Sequence, residues 1–345
     1  CLTAAVQSEL LVAAREGDVP ALSRLIAHGA DLEVTCPKGR TPLHTACFRG
    51  HACIVRMLSE HGAAMDAPLW GNQSLHLACL RGHLDVVRTL IELKSSVNIK
   101  GRDGFTPLHF ASHHGFVAVV QTLVEHKASL DDGDDEGDTP ILMASWEGHV
   151  EVVRTLVELR ASPALQNMKG YAPLHLASQC EHLDVIRLLA ACHVPLDAQV
   201  DNGLTPVHVA CLRGHASVVD VLAELKASME LPDKRGCTPL HCASAAGHIG
   251  VLRVLADRKV CLDAQDIHGD TALHWAARCG HTDAVRVLVD LNASFDLKGR
   301  DGSAPLHTAS QAGHVDIVRL LVAHLASMNA QNHNGDTPVL LACQK

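Results

Sequence analysis

The 345-residue chain carries 25 histidines and 13 cysteines, the side chains that most often hold metals or attack substrates. Most of the histidines fall on two ladders. One is His44, His76, His109, His175, His208, His241, His274 and His307. The other is His51, His83, His149, His182, His215, His248, His281 and His314. Neither ladder places two imidazoles at the close spacing that a zinc site needs on one helix. The sequence has no Gly-rich phosphate loop, no G-x-S-x-G and no H-E-x-x-H. No enzymatic activity, no cofactor and no structural metal are therefore expected. The cysteines are odd in number and form no C-x-x-C pair. Cys47, Cys79, Cys211 and Cys343 share one recurrent small position and read as reduced, buried thiols. That usage points to a cytoplasmic or nuclear protein.

A run of acids, Asp131-Asp132-Gly133-Asp134-Asp135-Glu136-Gly137-Asp138, is the remaining cluster with ligand chemistry. Its spacing is not that of an EF-hand. A solvated loop is the favoured reading, with a basic partner or weak Ca²⁺ binding as alternatives. The net charge of −9 argues against bulk nucleic-acid or anionic-membrane binding. No apolar run approaches a membrane span, and the N-terminus has no signal-peptide pattern. Apolar residues make up 47% of the chain and aromatics 3%, which suits Leu/Val/Ala helix stacking rather than a large aromatic pocket.

The elements that position these residues repeat. Glycines stand at 39, 71, 104, 137, 170, 203, 236, 269, 302 and 335, the first step being 32 residues and every later one 33. A fixed period of this length means stacked supersecondary units. Within one unit Gly236 permits a positive-φ turn, Thr238 is a good N-cap, and Pro239 suits the first helical turn. Leu240, Ala243 and Ser244 form one buried stripe, and Gly247 ends the helix. His248 opens a second helix marked by Ile249, Val251, Leu252 and Leu255. Each helix is too short to persist alone, so its apolar face needs the neighbouring repeat.

Thr-Pro-Leu-His after the turn glycine, at residues 41–44, 106–109 and 238–241, closely resembles the ankyrin repeat family, and the resemblance covers nearly the whole chain. It implies an all-α solenoid of paired antiparallel helices with β-hairpin-like fingers. It also implies that the first histidine ladder hydrogen-bonds nearby backbone and ties loops together. Residues 1–35 read as a degenerate N-terminal capping repeat, 36–331 as nine full repeats and 332–345 as a partial one, forming a single array. The short first step predicts an unusual turn near Asp66–Trp70. The chain starts at Cys1 and stops at Lys345 inside a helix, so a fragment of a longer protein is expected. One departure concerns the glycine after the second helix, present as Gly29 and Gly62. Lys94, Lys127, Arg160, His193, Lys226, Lys259, Asn292 and Leu325 replace it elsewhere.

In this family partners meet the finger tips and the two residues before each helix-ending glycine. Those positions hold Trp70, Leu80, Arg81, His113, His114, Trp146, Glu147, Tyr171, Leu212 and Arg213, which are the expected partner-binding residues. Large side chains concentrate between about residues 48 and 213. The later positions Ala245, Ala246 and Ala312 are plain, and Trp275 is expected to pack between repeats. On the second helices Arg88, Arg154, Arg187, Arg286 and Arg319 follow an acid by three residues, giving weak i,i+3 pairs on the outer side. The resemblance implies a monomeric scaffold that binds a protein or peptide on a concave, finger-bearing face. The alternatives are a targeting or regulatory arm of a larger enzyme, such as a protein kinase or ubiquitin-ligase adaptor, and a tethering array of a membrane protein. Hydroxylation of Asn98 is conceivable on the same resemblance.

Overall fold

Short helices joined by tight loops account for nearly all of the secondary structure in the computed structural model, which describes residues 2–344. Among these residues there are 21 α-helices, one 3₁₀ turn at Arg102–Gly104, and no strand beyond an isolated bridge between Leu69 and Asn72. The chain divides into two compact units, residues 1–168 and 169–345. Within each unit the first helices of successive repeats pack side by side, and the second helices do the same, making two layers. None of the helices is long and apolar enough to cross a membrane.

The repeat at Gly236 shows why the sequence folds this way. The first helix, Pro239–Ala246, buries Leu240, Ala243 and Ser244, and Gly247 ends it in the left-handed region at φ 74°. The second helix, Ile249–Asp257, buries Val251, Leu252 and Leu255 completely. Burying one such side chain contributes about 1.5–3 kcal/mol, and neither helix has another source of stability at this length. Cys47, Cys79 and Cys211 fill the predicted small core position, while Cys343 is exposed. Burial pushes the Cys47 thiol up to about 12 and raises those of Cys79 and Cys211, which keeps these three packing groups as neutral thiols.

All eight residues that replace the glycine after the second helix adopt positive φ, from 58° at His193 to 79° at Arg160. The backbone still closes as a Schellman turn: Ala227 N–H donates to the Leu222 carbonyl at 3.0 Å. The short first step also behaves as expected. Trp70 takes φ 53°, and Leu69 and Asn72 exchange both backbone hydrogen bonds.

The first histidine ladder forms the joints between repeats. At the N-cap, the backbone N–H of Thr238 donates to Nδ1 of His241 at 3.0 Å. His241 Nε2 then lies 3.0 Å from the carbonyl of Asp270 in the next repeat. The same pair of bonds links Thr106, His109 and Asp138, and Thr271, His274 and Ser303. The threonine hydroxyl was expected to cap the helix directly. It reaches the N3 amide at Thr41, Thr205 and Thr337. At Thr106, Thr238 and Thr271 it turns instead to the imidazole, 2.8–2.9 Å from Nδ1. Ala172 and Ala304 keep the N–H···Nδ1 bond with no hydroxyl at all, so the imidazole is the constant component of this cap.

The second ladder reaches backwards. His51, His83, His149, His215, His248, His281 and His314 each bring Nε2 within 3.2 Å of a carbonyl near the end of the preceding repeat's first helix. The ring lies against the helix-ending glycine. A Cβ on Gly247 would stand 2.6 Å from His281 Nδ1. Within a unit, successive fingers are joined tip to tip by backbone bonds such as Lys234 N–H to Asn202 O at 3.1 Å and Ile267 N–H to Arg235 O at 3.0 Å.

The outer ion pairs only partly follow the expected register. Arg154–Glu151 (3.5 Å), Arg286–Asp283 (4.0 Å) and Arg319–Asp316 (3.7 Å) are i,i+3 pairs. Arg187 instead reaches Glu224 of the next repeat at 3.4 Å, and Arg56 reaches Glu92 in the same way. Opposite charges on neighbouring second helices are as close as those on one helix.

Gly236 at a finger tip and Gly313, the helix-ending glycine of the last full repeat, should respond differently to substitution. Gly236 (φ 75°) has no room for a side chain, because its Cβ would lie 2.9 Å from the backbone nitrogen of Ile267. Gly313 (φ 80°) has nothing within 4 Å. Gly313→Ala should cost only the left-handed strain, about 1–2 kcal/mol. Gly236→Ala should cost clearly more and Gly236→Val more again, measured by urea unfolding. Equal costs at the two sites would mean that the finger is not held against the next repeat.

The buried imidazoles make stability depend on acid. Burial lowers the pKa of His44, His76, His109, His175, His208, His241, His274 and His307, the bonded carbonyls offsetting some of this, and brings His76 and His175 to about 4. The unfolded chain then binds protons that the folded chain excludes. Stability is complete above the ordinary imidazole value and is lost as pH falls from about 6.5 towards 4, by roughly 3 kcal/mol at each of His76 and His175 once both states are protonated. Thermal unfolding should show Tm falling through that window. A flat Tm there would contradict neutral, doubly bonded imidazoles.

Candidate functional site

The positions left over from this scaffold are the finger tips and the last residues of each first helix. In the unit of residues 1–168 they carry an aromatic and cationic cluster. The Arg40 guanidinium lies 4.2 Å above the Phe48 ring, Arg81 lies 4.6 Å from the same ring, and Arg40 is 5.6 Å from Trp70. The Trp70 side chain is held outward by its left-handed backbone and is 58% exposed. Leu80 is half-buried beside exposed Arg81. A guanidinium over an aromatic face contributes about 0.5–1 kcal/mol at exposed sites, enough to fix the rings without hiding them. Arg40 and Phe48 were not among the expected contact residues. Their signal was an arginine next to the tip glycine and an aromatic in the pair before the next one.

His113 and His114 follow in the same unit, their rings 4.7 Å apart and edge to face. His113 Nδ1 is 3.5 Å from the Glu147 carboxylate. Burial, then the neighbouring His113, lowers the pKa of His114. Trp146 and Met168 are exposed, Met168 at 72%. The acidic run proves to be a built turn rather than a loose loop. Asp134 is buried and its Oδ1 accepts the N–H groups of Glu136 and Asp138, both at 2.9 Å. Asp131 accepts the N–H of Ser162 at 2.9 Å. Asn98 stands at the equivalent position of the preceding repeat, accepting from Ser129 N–H at 2.8 Å and donating to the Lys127 carbonyl at 3.1 Å. No group of three or more metal-ligating side chains comes together among the described residues.

In the unit of residues 169–345, Tyr171 is half-buried with its ring edge-on to His175, 5.9 Å away. Leu212 is 40% exposed and Arg213 is exposed. Leu212 forms one wall of a pocket of about 440 Å³, shared with Leu204, Cys237, Cys242, Ala245 and Trp275. Trp275 packs between repeats as expected, and the pocket corrects the reading of the plain positions. The indole bridges fingers, lying 5.2 Å from the Arg235 guanidinium and 5.5 Å from that of Arg278, and its N–H donates to Asp266 at 3.0 Å. Its remaining surface faces the pocket. Ala245 stands at the register of Leu212 and Arg278, and its small size opens the hollow.

Among solved structures, the chain resembles the crystal structure of the human ASB11 ankyrin repeat domain. The identity is 29% and the TM-score 0.58, covering 63% of this chain and 98% of that one. The family model for ankyrin repeats in three copies matches residues 10–101, 93–167, 161–233, 225–299 and 292–345. With matches running from residue 10 to the end and the imidazole joints in place, this chain belongs to the ankyrin repeat family.

Proposed function

We propose that this protein is a non-catalytic scaffold that binds a partner protein or peptide on the finger-bearing faces of its two units. Ankyrin repeats generally serve as protein–protein interaction modules, and the coarse reading follows from membership of the family. The finer reading rests on one observation. Side chains of the kind that dominate interface energy, Trp70, Arg81, Trp146, Leu212 and Arg213, are exposed at the variable positions of a scaffold held by repeat-to-repeat bonds. Leu80, His113, His114, Glu147 and Tyr171 complete the proposed contact set. A stack held by backbone and imidazole bonds presents these groups with little ordering cost on binding.

A pull-down with the chain supplies the partner, and its affinity is then compared for Trp146→Ala, Tyr171→Ala and Arg286→Ala, with unfolding curves checked for each. Truncation of an aromatic anchor should weaken binding by roughly thirtyfold, as expected for a loss of about 2 kcal/mol. Arg286, on the outer layer with only a 4.0 Å partner, should matter by less than about twofold. Wild-type affinity for both aromatic variants together with a loss at Arg286→Ala would move the surface to the outer helices.

A further inference from the structure

A hollow beside Trp275 lies on the variable face of residues 169–345. Its walls are Leu204, Leu212, Cys237, Cys242, Ala245 and Trp275, and its volume of about 440 Å³ falls within the range of about 300–1,000 Å³ typical of ligand pockets. The rim has a sign. Lys234 and Arg235 are exposed at the finger tip and line the opening, and Arg213 follows Leu212. The carboxylates at the same place are already used. Asp233 Oδ1 accepts the N–H groups of Arg235 and Cys237, both at 2.8 Å. Asp266 takes the Trp275 indole N–H and the backbone N–H groups of His268 and Asp270. Asp270 pairs with Arg278. Lys234, Arg235 and Arg213 form no ion pair among the described residues. The apolar hollow, which Asp233 also lines, thus has unpaired cations Lys234 and Arg235 at its opening and Arg213 beside Leu212.

We propose that this pocket receives an apolar side chain from an acidic peptide segment of the partner, the carboxylates flanking that side chain meeting Arg235, Lys234 and Arg213. The proposal rests on the finger-bearing faces being binding surfaces. An apolar anchor supplies the affinity by displacing water from the hollow, and the paired charges orient it. Neutral and basic segments lack the orienting charges. Purely acidic segments without a large apolar residue lack the anchor.

The test uses the whole chain and synthetic fluorescein-labelled peptides in an anisotropy titration. One peptide is glutamate-rich with a central Trp-Leu pair. A second has Ala-Ala at the centre, and a third has every acid replaced by lysine. Ala245→Leu fills the hollow and is compatible with folding, because Leu212 occupies the same register one repeat earlier. Arg235→Glu reverses the rim charge at a tip position that holds Asn202, His268 and Asp301 in other repeats. The acidic Trp-Leu peptide should bind, and each substitution, like each peptide control, should weaken binding by about tenfold or more, a change of 1.4 kcal/mol. No measurable binding of the acidic Trp-Leu peptide, or equal binding of the lysine peptide, overturns the proposal. Wild-type affinity of both Ala245→Leu and Arg235→Glu also overturns it. If that affinity is instead lost in Trp146→Ala, the binding function of the finger faces stands and only the assignment to this pocket falls.

Discussion

Apart from His175, whose Nε2 has no hydrogen-bond partner among the described residues, each imidazole of the first ladder is a two-ended joint whose direction is set by a backbone N–H. A backbone amide can only donate, so the nitrogen it meets, Nδ1, must offer a lone pair. The proton therefore sits on Nε2, where a carbonyl of the next repeat waits 2.8–3.1 Å away, as at His109, His241 and His274. A neutral ring with both nitrogens occupied can be buried without penalty, whereas a charged one would lose the amide bond and its hydration together. This explains how the chain can bury so many histidines as neutral joints between repeats. The one full repeat that departs is instructive. Leu142 takes the place of histidine, and the buried Thr139 hydroxyl is left without a partner. The orphan marks what the ring normally supplies.

The second ladder adds a constraint of contact. The ring of one repeat is pressed against the helix end of the one before, at a residue that must be left-handed and must have almost no side chain. Gly50, Gly115, Gly214, Gly247 and Gly280 meet both demands, each leaving a histidine ring where a Cβ would stand less than 3 Å away. Where the pairing changes, one partner changes and the other stays. Phe116 replaces the ring that faces Gly82, and Glu181 takes a glycine position at φ 63° and turns its carboxylate to His215 Nδ1 at 3.2 Å. Backbone and imidazole thus hold the period, and the residues just before each glycine are free to differ.

That division decides what could be read from the chain alone. The period, the helix pairs, the left-handed residues from Lys94 to Leu325 and the odd turn at Trp70 all follow from local rules, because each depends on a few neighbouring residues. The hydroxyl cap and the acid partner of Arg187 depend on rotamers chosen between repeats, which spacing does not encode. The remaining surface of Trp275 escapes the same rules for a similar reason. The position after the signature histidine holds Thr45, Leu77, Phe110 and Cys242 elsewhere, and only the neighbouring fingers decide how much of such a side chain stays open. Ala245 is harder still. A small residue is silent in a search for large exposed ones, yet its silence makes the hollow.

The two units reach the same chemistry from different registers. In one, Phe48 near a helix end is sandwiched by Arg40 from its own finger and Arg81 from the next repeat. In the other, Trp275 earlier in its helix is flanked by Arg235 of the preceding finger and Arg278 of its own helix. Stacking a guanidinium on a ring neutralises no charge. It orders a flexible cation and leaves its hydrogen-bond donors facing outward. Exposed arginines on a mobile surface would lose conformational freedom on meeting a carboxylate, whereas these are already ordered before anything arrives. The rings therefore serve as platforms as much as contacts, which is why a chain that is only 3% aromatic can still present organised surfaces.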